Sequence, residues 1–568
     1  MRMIQRSLLI LIAGTLWLLP VSFSESIDAN AVWSAISNVS DNAPLPKAAV
    51  YVALRGNGEK LAFAWGSMAD SRVSFETALN AAEKLLTSSA ERTPVDTIEV
   101  CFAHNFRRVG LTESEGFPRN DDRGVLGLEL QLGNRVLRIA PTEMIAQNAS
   151  FERVMKEFVA SFSAEAQQSP VTAGVFEADQ VLVYLESPPR AVRMRRGATY
   201  VPPTAVTRDA AQKLVDGMAA WLARQVHENG RMTYQYEPTL ARETDANNEL
   251  RQFMASVALG RAAKWKQTQE LRALSDRNIA YNLKRFYDTD PKDDVGYIDF
   301  NGQAKLGAAA CAALLLLEHP APTAEWTTAR DMLIKLTHHQ WNEDGSFRTF
   351  YWPPDKNDNQ NFYPGETLYL WSSLYASSPD PMLRDKFMKS FAYYRDWHRK
   401  NHNPAFVPWH TQAYCAMLKQ FDDAELKSFV LEMNDWLVTI QQWETAPYED
   451  QRGRFYSPEH PDYGPPHASS TGVYIEGLVD AFALARKLGD TARAERYRLA
   501  IVRGLRSLLQ LQFTGGPDCY YVLDRGPVTG GIRVNEYDNR IRVDNVQHGL
   551  MGVLKVLQIF GDADWATD

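Results

Sequence analysis

The stretch AKLGAAACAALLLLE, residues Ala304 to Glu318, decides the predicted fold. It is apolar around its whole circumference and rich in small side chains, which is typical of a helix that is buried on all sides. Small side chains also let such helices crowd around a common axis. By contrast, the segments Arg384 to Lys400 and Ala492 to Leu511 are amphipathic and highly charged, as helices with one solvated face must be. The sequence therefore predicts an inner and an outer set of helices.

The connections between the predicted helices alternate in length. Apolar periodicity from Thr207 to Phe560 indicates about twelve helical segments. Short turns join pairs such as 365–378 with 381–400, whereas six long connections separate the pairs: 230–247, 288–303, 341–364, 401–408, 443–467 and 513–545. If successive helices are antiparallel, all long connections emerge at one end, and two concentric rings form an (α/α)6 toroid with a mouth. An open helical solenoid without a mouth is the alternative.

The start of the chain has the pattern of a secretory signal peptide, residues 1–24. Met1 to Arg6 carries two arginines, Ser7 to Leu19 is apolar, and Ser22-Phe23-Ser24 places small residues around a bulky one. This predicts a periplasmic or secreted protein, with an uncleaved membrane anchor as the alternative. No stable membrane insertion is expected elsewhere, because no other stretch approaches the about 20 uncharged residues of a spanning helix.

Composition excludes several classes of function. The net charge of -8 and the lack of a long basic run argue against nucleic acid as a partner. Cys101, Cys311, Cys415 and Cys519 lie far apart, without the spacing of a zinc site. Cys311 and Cys415 fall in apolar inner helices, so buried free thiols are expected, with a disulfide in an oxidising compartment as the alternative. No metal and no cofactor is predicted, and nothing in the sequence identifies a protein partner.

A small α+β domain, residues 32–186, precedes the toroid at 207–560. Strand-like runs cover 48–54, 97–103, 125–132 and 181–185, and helix-like runs cover 75–88 and 150–163. Residues 187–206 are interpreted as a stiff linker, because Pro188-Pro189 and Pro202-Pro203 flank the basic stretch Arg190 to Arg196.

The α+β domain resembles the AMME-syndrome candidate-region family. The resemblance is carried by VYVALR (Val50 to Arg55), Trp65-Gly66, RGVLGLEL (Arg123 to Leu130) and RIAP (Arg138 to Pro141). It implies a small α+β fold. The Arg-Gly-Cys-Ile-Gly segment of that family is replaced here by LAFAWG (Leu61 to Gly66), and no activity is carried over.

Aromatic and polar residues concentrate in the long loops and in the first turns of the inner helices. In a toroid these positions face one concavity, which is a preferred place for a ligand pocket. Flat sugar faces stack on aromatic rings, and sugar hydroxyls pair with charged and amide side chains. The predicted substrate-binding residues are Tyr363, Trp352, Trp409, His410, Arg542, Arg540 and Tyr537. For any one of the aromatic residues, the alternative is that it closes the top of the core.

Several carboxylates could serve as acid or base. Glycoside cleavage generally needs two, one protonated and one ionised. Glu366 lies in the first turn of its helix, where complementing the helix dipole is the alternative role. Asp544 lies among arginines, where a structural ion pair is the alternative. The catalytic candidates are Glu366, Asp544, Asp299, Glu249 and His548.

Thr207 to Phe560 resembles the six-hairpin glycosidase-like superfamily of toroids in its architecture and loop chemistry. Its last part is similar in order to the end of the helical domain of glucuronyl C5-epimerases: YIEGLVDAFALARKLGD (474–490), YRLAIVRGLRSLLQLQ (497–512) and RVDNVQHGL (542–550). The tyrosine and histidine positions depart from that family, so no catalytic residue is carried over. The resemblance implies a carbohydrate-active protein.

Three hypotheses follow. The first is an exported protein that binds a polysaccharide or oligosaccharide in the toroid mouth and hydrolyses it through two carboxylates. The second is uronate chemistry, either C5 epimerisation or elimination, with Arg or His neutralising the uronate carboxylate. The third is a noncatalytic scaffold for envelope polysaccharide assembly. A positively charged mouth favours a uronate, whereas two exposed carboxylates about 5 to 10 Å apart favour hydrolysis.

Overall fold

The computed structural model describes residues 27–39, 49–67, 70–86, 93–162 and 170–566. The predicted signal peptide, residues 1–24, lies outside the described residues. Within these ranges, no helix has both the length and the apolar character needed to cross a membrane.

An antiparallel sheet with helices on it forms the α+β domain. Its strands are β1 (Ala49–Gly56), β2 (Glu59–Ser67), β3 (Thr97–Val109), β4 (Leu126–Leu132), β5 (Arg135–Ile139), β6 (Thr172–Tyr184) and β7 (Arg190–Met194). They are ordered β2-β1-β3-β6-β4-β5, and β7 also pairs with β6. The helices are α1 (Ala29–Val39), α2 (Ser71–Leu86), α3 (Pro141–Ala146) and α4 (Phe151–Ala160). Alternating apolar residues place one sheet face, including Val52, in a core with Phe75 of α2.

The stretch 187–206, interpreted from its prolines as a stiff linker, pairs in part with the sheet of the α+β domain. It contributes strand β7 to the sheet, and Arg196 just after this strand is buried. Prolines restrict the backbone of their neighbours, but they do not prevent the residues between them from pairing with a strand.

Between residues 208 and 559, all of which the structure describes, twelve helices form two rings. They are α5 (Arg208–Gln225), α6 (Glu249–Lys266), α7 (Gln269–Phe286), α8 (Leu306–Glu318), α9 (Ala324–His339), α10 (Tyr363–Ser377), α11 (Pro381–His398), α12 (Phe406–Met417), α13 (Ala424–Leu437), α14 (Ala468–Lys487), α15 (Thr491–Leu511) and α16 (Val543–Ile559). Even-numbered helices contact one another in sequence, and α16 contacts α6. The ring is therefore closed, which confirms the predicted (α/α)6 toroid and excludes an open solenoid.

Small residues allow the inner helices to approach closely. All residues from Leu306 to Leu316 of α8 are buried, as its apolar composition predicts. A Cβ atom on Gly472 of α14 would lie 2.6 Å from the backbone nitrogen of Gly549 on α16, so these two backbones touch. In the outer ring, α11 buries one face, with Phe387 and Phe391, and exposes the other.

The long loops carry two small sheets at one end of the toroid. One sheet contains β10 (Tyr287–Asp290), β11 (Val295–Phe300), β12 (Gln303–Lys305) and β13 (Phe350–Trp352). The other contains β8 (Gln235–Glu237), β9 (Arg242–Glu243), β14 (Arg533–Asn535) and β15 (Asp538–Arg542). Because β8 precedes α6 and β15 precedes α16, this second sheet joins the first and last hairpins at the mouth.

The α+β domain packs against the loops at this same end. Arg196 Nε lies 2.6 Å from Asp450 Oδ2, and both side chains are buried. The Tyr448 hydroxyl donates a hydrogen bond to Asp122 at 2.7 Å. Asn148 donates to Asp538 of β15 at 3.2 Å. The domain therefore borders the mouth of the toroid.

Two buried histidines should make the fold sensitive to acid. Burial lowers the pKa of His398 and of His410 to about 3 each. A neutral, buried histidine with a lowered pKa contributes stability that is present above pH about 6.5 and is lost as the pH falls toward 3. We expect His398→Phe to reduce the loss of stability on going from pH 7 to pH 5 by roughly 2 kcal/mol.

Urea unfolding at the two pH values measures this effect. His398 stacks on Phe406 with ring centroids 4.4 Å apart, so phenylalanine suits the site. The control is His460→Phe, because His460 is exposed. An equal loss in wild type and His398→Phe would show that His398 does not cause the acid sensitivity.

Candidate functional site

Two arginines and one aspartate, which we call the arginine floor, meet at the mouth: Arg251, Arg542 and Asp544. Arg251 lies in the first turn of α6, and Arg542 and Asp544 flank the start of α16. Arg542 donates from Nε and Nη2 to the two oxygens of Asp544, at 3.0 and 2.6 Å. Arg251 Nε lies 3.1 Å from Asp544 Oδ2, and Arg251 also donates to the Tyr234 hydroxyl. The closure of the ring brings α6 and α16 together and so creates this cluster.

Asp544 is held in the ionised form. Burial alone would raise its pKa, but the charges of Arg251 and Arg542 outweigh burial and lower the pKa to about 2. The two arginine side chains remain 35% and 23% exposed, whereas Asp544 is buried. The arginine floor therefore presents net positive charge to solvent.

Glu366 is a buried carboxyl beside the arginine floor. It is 4% exposed, and its Oε2 has no hydrogen-bond partner among the described residues. Burial raises the pKa of Glu366 to about 8, against the opposing charge of Arg251. A Cβ atom on Gly307 would lie 2.0 Å from Glu366 Oε2, so this glycine of α8 makes room for the carboxyl. Glu366 is therefore mostly protonated at neutral pH.

Glu249 and Tyr363 lie next to Glu366. Lys305 Nζ is 2.9 Å from Glu249 Oε1, in an ion pair that lacks hydrogen-bond alignment. Burial, followed by the charges of Glu366 and Glu249, raises the pKa of Tyr363 well above its usual range. Glu249 is therefore paired with Lys305, while the Tyr363 hydroxyl stays neutral.

His548 lies one turn further along α16, on the inner side of the ring. Its Nδ1 is 2.8 Å from Oε1 of the buried Glu476 on α14. Lys555 donates to the Glu476 backbone oxygen at 2.9 Å and to Asp480 at 2.6 Å. The Trp409 ring lies 6.0 Å from the His548 ring. Glu476 thus orients the imidazole and leaves its Nε2 for a ligand.

A second histidine, His467, lies beside the arginine floor. Burial, followed by the charge of Arg542, lowers its pKa to about 4. Its side chain accepts from the backbone nitrogen of Ser470 and caps α14. His467 is therefore neutral at pH 7, and its side chain serves as the cap of α14.

Some residues nominated from sequence lie elsewhere. His410 is fully buried, its Nδ1 lies 2.9 Å from the Phe406 backbone oxygen, and its ring stacks on Phe406. The substrate-binding role of His410 stays a prediction, and it is the neighbouring Trp409 whose ring lies near His548, at 6.0 Å between centroids. Asp299 of β11 and Trp352 of β13 both pair with Ala304 of β12, which lies between these two strands in the small sheet formed by β10 to β13.

Two further nominated residues lie on β15 or beside it. Arg540 pairs with Asp538 at the rim. The Tyr537 ring lies 5.4 Å from the guanidinium of Arg123 in the α+β domain. These residues border the domain interface.

Sequence reasoning missed Arg251, Glu476 and Lys305. Arg251 stands two residues after Glu249 at the start of an inner helix, which is the signal that could have identified it. Glu476 and Lys305 carry no local signal, because each acts through a partner on another helix. Among the described residues, no group of three or more His, Cys, Asp or Glu side chains could hold a metal ion. Cys101, Cys311, Cys415 and Cys519 are buried free thiols.

Comparisons with known proteins give only distant matches. No family model and no curated protein matches the sequence. Similar solved structures include the GH76A alpha-1,6-mannanase from Salegentibacter sp. HEL1_6, with 10% identity, TM-score 0.46 and coverage of 62% of this chain and 100% of that chain. Cellobiose 2-epimerase from Bacillus thermoamylovorans B4167 has 12% identity, TM-score 0.45 and coverage of 61% and 99%. An unsaturated glucuronyl hydrolase specific for heparin has 12% identity, TM-score 0.42 and coverage of 62% and 98%. These similarities are too distant to transfer an activity.

Proposed function

We propose that the toroid mouth binds a uronate-containing oligosaccharide or polysaccharide and acts on the uronate. The observation that carries this proposal is the arginine floor, in which two partly exposed arginines share one buried carboxylate. A guanidinium has five N–H donors, and a carboxylate accepts two of them in a fork. The N–H groups of Arg251 and Arg542 that do not donate to Asp544 or Tyr234 are suited to a uronate carboxylate. The carboxylates of the site are buried, so the geometry favours an anionic ligand.

The reaction that these residues support best begins with removal of the proton at C5 of the uronate. His548 would accept this proton at Nε2, because Glu476 holds Nδ1. The electron pair left at C5 spreads into the uronate carboxylate, where Arg251 and Arg542 stabilise the added negative charge. Glu366, protonated because burial raises its pKa to about 8, would supply a proton.

Two outcomes are then available. If Glu366 returns a proton to C5 on the opposite face, the uronate is epimerised. If instead the bond between C4 and its oxygen breaks, Glu366 protonates the leaving oxygen and the product carries a C4–C5 double bond. Both outcomes balance with one proton taken by His548 and one given by Glu366.

Incubation in deuterated water tests the proposal. The purified protein is incubated with uronate-containing and neutral polysaccharides, and products are followed by size and by proton NMR. We expect deuterium at C5 or a new vinyl proton with the uronate polymers, and no change with the neutral ones. Arg542→Gln is the matched variant, expected to lose the reaction. Shortening of a neutral polymer without any change in uronate polymers would contradict the proposal.

A second candidate is glycoside hydrolysis with Glu366 as the general acid. The raised pKa of Glu366 favours it, because a general acid must hold its proton at working pH. Asp544 or Glu249 would be the second carboxylate, although each is engaged by a cation. The same incubation separates the two, since hydrolysis shortens the chain without a vinyl signal or deuterium at C5. No change with any polymer would favour a noncatalytic scaffold.

We further propose that the protein acts in the periplasm or outside the cell. The pattern of residues Met1 to Ser24 supports this location. Mass spectrometry of the protein from its native host should find an N-terminus at Glu25. An intact Met1 on a soluble cytoplasmic protein would contradict export.

A further inference from the structure

A cleft opens beside the arginine floor, in the loop between α5 and α6. It encloses about 460 Å³, within the roughly 300–1,000 Å³ range of ligand pockets. Its lining includes Arg231, Tyr234, Glu243, Asp245, Ala246 and Asn247. Asp245, Ala246 and Asn247 are exposed, so the cleft is open to solvent.

Tyr234 forms a wall that the cleft shares with the arginine floor. Its hydroxyl accepts a hydrogen bond from Arg251, and its backbone oxygen accepts from the backbone nitrogen of Val543 at 2.8 Å. The next residue, Gln235, pairs with Arg542 across the strands β8 and β15. A ligand group in the cleft therefore adjoins a group bound by the two arginines.

The electrostatics of the cleft differ from those of the arginine floor. Arg231 donates from Nη2 to Glu243 Oε2 at 2.9 Å, so its charge is neutralised within the cleft wall. Asp245 adds a negative charge at the opening. A second uronate placed here would meet net negative charge, whereas the hydroxyls of an uncharged sugar can donate to the carboxylate oxygens.

We propose that this cleft is a subsite for the sugar next to the reacting uronate, and that it takes an uncharged sugar. The substrate is accordingly a chain in which uronates are separated by uncharged sugars. This inference rests on the proposed function, because it takes the arginine floor as the place of the uronate.

Calorimetric titration with three probes tests the subsite. The probes are glucuronate, a tetrasaccharide with one glucuronate flanked by neutral hexoses, and tetragalacturonate. Ala246→Trp places a large ring in the cleft at an exposed position. The matched control is Ala492→Trp on α15, whose exposed side chain lies at the short-turn end of the toroid. We expect Ala246→Trp to weaken binding of the mixed tetrasaccharide at least tenfold and to leave the affinity for glucuronate unchanged. Ala492→Trp should change neither affinity.

A charge substitution checks the chemistry of the subsite separately. Asp245→Lys should strengthen binding of tetragalacturonate several-fold relative to the mixed tetrasaccharide, because it removes the repulsion of a second uronate. Equal affinity of wild type and Ala246→Trp for the mixed tetrasaccharide would overturn the subsite, even if Arg542→Gln loses all uronate binding. No binding of any uronate probe by wild type would instead overturn the proposed function and the subsite that rests on it.

Discussion

Replacing Glu366 by glutamine should remove most of the activity and yet make the protein more stable at neutral pH. As the proton donor of the proposed reaction, Glu366 accounts for a factor of about 10² to 10⁴ in turnover. Glutamine keeps the shape of the side chain but cannot transfer a proton. In wild type, activity should also decline above pH about 8, where Glu366 loses its proton.

The gain in stability follows from the raised pKa. A carboxyl with a pKa of about 8 when folded, against 4.5 as the ordinary value, contributes stability that is present below pH 4.5 and is lost as the pH rises through 8. Glutamine does not titrate, so the Glu366→Gln protein does not lose this contribution to stability as the pH rises. We expect Glu366→Gln to be more stable than wild type by on the order of 3 kcal/mol at pH 7, and by almost nothing at pH 4.

Denaturant unfolding at pH 4 and pH 7, together with turnover on the uronate substrate, measures both effects. The informative control is Glu325→Gln, in the exposed first turn of α9, which should change neither quantity. Loss of both activity and stability in Glu366→Gln would mean that the side chain is structural. Full activity would remove Glu366 from the reaction.

Asp544→Asn should destabilise the protein more than any other single substitution at the mouth. It leaves the guanidinium groups of Arg251 and Arg542 close together without the anion between them. Removing one partner of a buried ion pair costs about 3–5 kcal/mol, and the lower end applies because Arg251 is 35% exposed and solvent screens part of its charge.

The pH dependence identifies the cause. With a pKa lowered to about 2, Asp544 contributes stability that is present above pH about 3.8 and is lost as the pH falls toward 2. The difference in free energy of unfolding between wild type and Asp544→Asn should therefore shrink as the pH falls from about 3.8 toward 2. Asp209→Asn is the matched control, because Asp209 is also the second residue of its helix but is 76% exposed. An equal effect of both substitutions would point to the helix dipole rather than to the arginines.

Several parts of the fold were accessible from local sequence. The ends of α10 and α11 lie within about two residues of the predicted boundaries 365–378 and 381–400, because burial of one helix face or of the whole helix repeats along the chain. Strand β2, EKLAFAWGS, was missed, since an edge strand with mixed polarity has no clear alternation. Strand β5 was missed for the same reason.

The candidate site was accessible only in part. Glu366, Asp544, Glu249 and His548 were found because each lies in the first two turns of an inner helix and carries a titratable group. His410 occupies an equivalent position but faces the core, because its place around the helix axis, and not its distance from the helix start, decides what it contacts. The rotation of each helix depends on packing against two neighbours that are distant in sequence.

Composition and periodicity thus suffice to predict two rings of helices with long loops at one end, since helix burial and loop length are local properties of the chain. The charge states of the carboxyl groups at the mouth are not local properties of the chain. Asp544 is ionised because α6 closes against α16 and brings Arg251 within 3.1 Å, and Glu366 is protonated because Gly307 on α8 lets it be buried. Pairing and desolvation across separate helices set the pKa of each carboxyl, and only the closed ring brings those helices together.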